Sequence, residues 1–165
     1  MTLRAGSSAA VFAVVAGVTL LLLGDAVLKG AWPTAARVAG VGALVVWVAW
    51  MLLVRPSIRV LPDRAVVVNV GRITEVPWAR VVDVRRRLQL ILELDDDRHV
   101  EAWGSPFVSR RNSADDPAAQ ALRSAWMSAS RTDSTGVVTR RPDAVALTVG
   151  AAALALLVVT QVASG

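Results

Sequence analysis

The side chains that could do chemistry in this chain come mostly in runs: Arg85-Arg86-Arg87, Asp95-Asp96-Asp97 and Arg110-Arg111. Clustered guanidiniums suit contact with anionic lipid, where each basic residue near the surface contributes about 1 kcal/mol. The competing reading is a solvated surface balanced by Asp95, Asp96, Asp97 and Glu101, and of the two it is favoured. The triple aspartate lacks the alternate ligand spacing, glycine and distal glutamate of a calcium loop, so it reads as a turn. His99 is the single histidine and cysteine is absent, which rules out thiolate nucleophiles, Cys-based metal sites and a His cluster. Gly40-Val41-Gly42 lies inside an apolar run, and no Ser–His–Asp or paired-carboxylate signature appears. The sequence therefore predicts no enzyme, no cofactor and no metal.

The net charge of +5 invites a nucleic-acid reading, but its distribution weakens it. Residues 55–143 hold 15 of the 18 basic and 12 of the 13 acidic residues, a net of only +3. The remaining imbalance flanks apolar segments, where basic residues set topology. Neither a nucleic acid nor a small-molecule substrate is expected as a partner.

Stepping outward from the charged middle, 7–24, 38–54 and 144–165 carry no charge at all. A bilayer core needs about 20 apolar residues, so helices spanning a membrane are expected at 7–28, 35–54 and 144–163. The first is read as a retained helix, because its apolar run is longer than the 7–15 residues usual in a signal peptide. Basic residues near the helix ends divide six (Arg4, Arg55, Arg59, Arg64, Arg140, Arg141) against two (Lys29, Arg37). By the positive-inside rule this puts the N-terminus and the middle domain in the cytoplasm and the C-terminus outside, in a multi-pass plasma-membrane protein. Trp47 and Trp50 sit where aromatic belts gather. Small residues four apart, at Ala9, Ala13 and Gly17 and at Ala35, Ala39 and Ala43, suggest a close hairpin of the first two helices.

The middle, 55–131, switches to a two-residue period. Ile58 and Val60 flank Arg59. Pro62-Asp63 turns the chain, Val66, Val68 and Val70 alternate, and Gly71-Arg72 makes a hairpin corner. Val82 and Val84 share one face, with Asp83 and Arg85 on the other. The clearest strand is Leu88-Gln89-Leu90-Ile91-Leu92-Glu93-Leu94, with four leucines on one face. Val100 and Ala102 resume that face, and 106–109 adds a short strand. An amphipathic helix follows, capped by Asp116 and opened by Pro117, with Ala118, Leu122, Ala125, Trp126 and Ala129 in one stripe. Trp78, Trp103 and Trp126 are expected in the core. Residues 132–143 read as a polar linker. The fold class is α+β: three transmembrane helices plus an antiparallel barrel or sandwich of six to seven strands capped by one helix.

The run IRVLPDRAVVVNVGRITEVPWARVVDVR resembles the opening of bacterial pleckstrin-homology (PH) domains, whose strand pair precedes an (I/V)-P-W-x-x-(I/V)-x-x-V step. Val76, Pro77, Trp78, Val81 and Val84 match that step, as structural residues. LILELDDDRHVEAWGSP resembles the later hairpin of the actinobacterial low-molecular-weight antigen PH type, so the resemblance covers about 56–108. It implies a PH-like domain. It does not imply inositide binding, because the first-hairpin loop Leu61-Pro62-Asp63-Arg64 lacks the convergent Lys and Arg that phosphate recognition uses.

The expected function is that of a non-enzymatic interaction or scaffold module at the cytoplasmic membrane face, with the lipid bilayer and a protein as partners. The alternatives are an anionic-lipid sensor, through Arg85, Arg86, Arg87, Arg110 and Arg111, or an accessory subunit of a larger membrane complex.

Overall fold

Alternation in Leu90-Ile91-Leu92-Glu93-Leu94 becomes a strand whose three leucines are buried while Ile91 and Glu93 face outward. The computed structural model describes residues 2–3, 6–86, 90–103, 117–129 and 136–163. The chain divides into two compact units: residues 1–6 with 55–142, and residues 7–54 with 143–165.

The first unit is built on two antiparallel sheets. The strands are β1 (Thr2–Leu3), β2 (Ser57–Val60), β3 (Arg64–Asn69), β4 (Arg72–Pro77), β5 (Val81–Arg86), β6 (Leu90–Leu94), β7 (His99–Ala102) and β8 (Thr139–Pro142). One sheet runs β1-β2-β3-β4-β8 and the other β5-β6-β7. Among the described residues the two ladders stay separate, so the expected barrel is not closed, and eight strands replace the six to seven expected. Val70-Gly71 joins β3 to β4, and Gly71 takes a φ of +69°, which a side chain would resist. A single 3₁₀ turn, Trp78–Arg80, carries the chain from one sheet to the other.

Two elements depart from the sequence reading. The stretch expected as a linker, 132–143, ends in β8, which pairs with β4 from Thr139↔Glu75 to Arg72↔Pro142. The sequence Thr-Arg-Arg-Pro has no apolar period, because an edge strand exposed on all four residues is specified by its ladder and not by burial. Within β5 the register slips between Val81 and Asp83. The extra residue is a β-bulge. It turns Val82 outward, 57% exposed, and puts Val81 and Val84 in the core, so Val82 and Val84 do not share a face.

The core gathers Ile58, Ala65, Val67, Val76, Trp78, Val81, Val84, Leu90, Leu92, Leu94, Val100, Ala102 and Leu122. Leu122 comes from helix α3 (Pro117–Ser128), and Ala125, Trp126 and Ala129 of the expected stripe pack against the same core, while the side chain of Ala118 lies outside the described residues. Trp103 is 55% exposed and takes no part in that core, contrary to expectation. The expected strand at 106–109, the cap Asp116, and Leu88 and Gln89 lie outside the described residues.

The second unit holds three helices long and apolar enough to cross a membrane: α1 (Gly6–Leu28), α2 (Trp32–Ala49, continued by a π-helical turn, Trp50–Val54) and α4 (Ala144–Ala163). The α2 segment opens with Pro33 in its first turn, where a missing N–H costs nothing. Asp143 caps α4, its Oδ1 accepting from the Ala146 N–H at 3.3 Å. The closest helix pair is α2 with α4, not the expected α1–α2 hairpin. Its seam includes Gly40 on α2, where a β-carbon would meet Leu157 and Thr160 of α4, and Gly150 on α4, whereas Gly42 faces Thr19 of α1. Trp47 packs against Gly150, where a β-carbon would overlap the indole, and Nε1 donates to the Ala146 carbonyl at 2.9 Å. Trp47 is thus an interhelical contact rather than a simple interface anchor. Gly17 faces open space, so the Ala9–Ala13–Gly17 stripe is not a packing seam.

Candidate functional site

Outward positions of β5, β6 and β7 line a groove of about 570 Å³. The pleat sends every second side chain to this face, which supplies Arg85, Ile91, Glu93, His99 and Glu101, and the bulge adds Val82. The turn after β6 contributes Asp95 and Asp97 at the rim. Asp97 adopts a left-handed φ of 60°, which aspartate tolerates better than most residues.

Charges on this face are satisfied locally. Arg85 Nε donates to Asp83 Oδ2 at 2.9 Å, and its Nη1 lies 3.2 Å from Glu93 Oε1. Arg80 reaches Asp95 at 2.6 Å and Asp96 at 3.0 Å, and Asp96 also takes the guanidinium of Arg98. The hydrogen bond from Arg85 holds the Asp83 carboxyl below its ordinary range; partial desolvation opposes this, while the Val84 N–H and the charges of Arg85 and Arg123 reinforce it. Arg98 does the same for Asp96. On the outer face of the larger sheet, Glu75 binds Arg64 at 3.0 Å and Arg141 at 3.3 Å, tying β3, β4 and β8 together.

The free margins of the smaller sheet are covered. Along β5, Arg123 donates from Nε and Nη2 to the Val84 carbonyl at 3.2 and 3.1 Å, and Trp126 Nε1 donates to Val81 O at 3.1 Å. Along β7, the Asn69 amide donates to Glu101 O at 2.7 Å and accepts from the Trp103 N–H at 2.9 Å. Capping of this kind blunts an edge that would otherwise recruit a partner strand.

Of the residues singled out from sequence, Arg85 lies in the groove and is ion-paired. The side chain of Arg86 and the whole of Arg87, Arg110 and Arg111 fall outside the described residues. Trp78, Val81 and Val84 are core residues, with Trp78 Nε1 donating to Leu61 O at 2.8 Å. Pro77, the last residue of β4, stands against Gly136, where a β-carbon would meet Pro77 Cγ at 2.6 Å. The sequence reading missed Asn69, Ile91 and Glu93; a signal for the last two lay in their outward phase beside the leucines. Among the described residues no group of three or more His, Cys, Asp or Glu could hold a metal ion.

No protein-family model, curated protein or solved structure matches this chain.

Proposed function

We propose that this protein is a membrane-anchored, PH-like interaction module, non-enzymatic, working at the cytoplasmic face of the plasma membrane as a scaffold for a protein partner. The observation that carries the reading is the groove on β5–β7. It offers Val82 and Ile91 ringed by arginines and carboxylates already bonded to one another. Neutralised arginines give little pull on an anionic bilayer, whereas an apolar strip with a polar rim suits a protein surface. The covered margins of the smaller sheet favour docking on its face over addition of a strand.

The PH-like assignment draws support from the element order: three consecutive strands in one sheet, three in the next, then a helix whose Leu122 enters the core. The placement of the N-terminus and the middle domain on one side draws support from β1, which pairs Thr2 with Arg59 and Leu3 with Ile58. Residues on both sides of the α1–α2 pair thus share one sheet, which agrees with two crossings between them and with the basic-residue bias.

The test is site-specific photocrosslinking of the full chain in native membranes. A photoreactive residue at Val82 should give a discrete protein adduct that persists at high salt and is lost in Glu93→Arg. The same residue at Leu61, in the β2–β3 turn, should give none. Equal labelling at both sites, or adducts only with lipid at Val82, would remove the scaffold reading.

A further inference from the structure

Among the described arginines of the first unit that carry no ion pair, which include Arg59 and Arg123, two share one cleft. Arg64, Arg80, Arg85, Arg98 and Arg141 each bond a carboxylate, but Arg72 and Arg140 carry no ion pair among the described residues. Register places them together. Asn69 pairs with Arg72, and Thr74 pairs with Arg140. Opposed and alternate residues share a face, so Asn69, Arg72, Thr74 and Arg140 continue the surface that carries Val67 and Val76 into the core. With Glu101 and Trp103 from the β7 end they line a cleft of about 220 Å³. Thr74 is buried there, and Asn69 is held by its two bonds to β7. The only carboxylate in the lining is Glu101, whose Oε1 lies 3.8 Å from His99 Nε2. The two guanidiniums therefore outnumber the acid.

The sheet end that bears this cleft is also the end where the chain passes into the helices. Leu3 lies opposite Ile58, Ser57 opposite Val68, and Pro142 opposite Arg72. In sequence, Gly6 follows Leu3 by three residues, Ser57 follows Val54 by three, and Ala144 follows Pro142 by two. Three extended residues span about 10 Å, so these connections leave the first unit close to the strand ends that bear the cleft.

We propose that Arg72 and Arg140 form a phosphate-binding cleft, with Trp103 as its apolar wall, that takes the phosphodiester of an anionic lipid headgroup or a soluble phosphate. Planar guanidiniums grip phosphate oxygens in pairs, and two forks on adjacent strands can share one phosphate. The cleft shares His99 and Glu101 with the groove on β5–β7, but its two arginines belong to the larger sheet and not to the Arg85–Arg87 run.

The test uses the full chain in an uncharged detergent, titrated calorimetrically with inorganic phosphate, short-chain phosphatidylglycerol and short-chain phosphatidylcholine. Saturable binding of phosphatidylglycerol or of phosphate is expected, with phosphatidylcholine weaker than either. Binding of the lipid alone identifies a headgroup site, and binding of inorganic phosphate a soluble ligand. Arg72→Gln with Arg140→Gln should weaken binding by about ten-fold or more, given the strength of hydrogen bonds to charged groups. Arg72→Lys with Arg140→Lys should keep part of it, and Arg85→Gln all of it. An unchanged thermal midpoint in the glutamine variant separates lost binding from lost folding. The proposal is overturned by no saturable anion binding, by undiminished binding in the folded glutamine variant, or by an equal loss in Arg85→Gln.

Discussion

The side chain of Asn69 meets Trp103 as a strand residue would, its Oδ1 accepting from the Trp103 N–H at 2.9 Å while its amide nitrogen donates to Glu101 O at 2.7 Å. One side chain thereby connects the end of β3 to the end of β7, across two sheets that share no ladder.

That link should be measurable. Asn69→Ala removes both bonds, each worth about 1 kcal/mol net, so urea unfolding of the first unit should shift by about 1–2 kcal/mol. Asn69→Asp keeps the acceptor and loses the donor, so it should fall between. A neutral Asn69→Ala would show that the sheets are held by the core alone.

The bulge in β5 predicts opposite outcomes two residues apart. Val84→Asp buries an unpaired charge in the core and should cost more than about 3 kcal/mol. Val82→Asp places its carboxylate in solvent and should be close to neutral. Similar costs for the two would mean that the register slip at Val81/Asp83 is absent.

Acid should weaken the first unit through its paired aspartates. Arg64, Arg85 and Arg98 hold Asp63, Asp83 and Asp96 respectively below the ordinary carboxylate range. A depressed folded pKa adds stability that is fully present above the unfolded value, about 3.9, and is lost as pH falls through the folded one. These pairs should therefore leave denaturation midpoints flat from pH 7 to about pH 5 and lower them below about pH 4. Arg85→Gln with Arg98→Gln should shallow that acid limb, and a limb of unchanged slope would remove these pairs as its cause.

In the second unit, Gly150→Val should push Trp47 off α4, because a β-carbon there overlaps the indole. Trp47→Phe removes the bond to Ala146 O and some ring area, so it should be milder. Thermal unfolding of the full chain in detergent should rank wild type above Trp47→Phe above Gly150→Val. Partial rescue of Gly150→Val by Trp47→Ala would tie the loss to this one contact.

Orientation has a direct reporter, because the chain has no cysteine. An impermeant maleimide applied to intact cells should label Ala31→Cys, between α1 and α2, and spare Val137→Cys, just before β8. Labelling of Val137→Cys from outside would reverse the topology.

What the sequence disclosed depended on how each feature is encoded. Leu90, Leu92 and Leu94 were legible because burial of one strand face writes itself as a two-residue period. The three long helices were legible because lipid demands an unbroken apolar run. The outward turn of Val82 was not, since a bulge inserts one residue without altering composition. Strand β8 was hidden for the reason given by its exposure, and the Trp47–Gly150 contact because it pairs residues on helices that adjoin only after folding. The arginines illustrate the same limit. Arg85-Arg86-Arg87 stood out as a run, yet Arg85 is neutralised by its neighbours. Arg72 and Arg140, 68 positions apart, are brought together only by the β4–β8 ladder.

Strand β8 also fixes an order of events during synthesis. The outer margin of β4 stays open while α1, α2 and the strands through β7 leave the ribosome, and only residues 139–142 can close it. The first unit is thus finished by the stretch that immediately precedes the last helix, so a nascent chain stalled before residue 139 would carry an exposed β4 flank for as long as the stall lasts. The ion pair of Arg141 with Glu75 is then the seal that forms last.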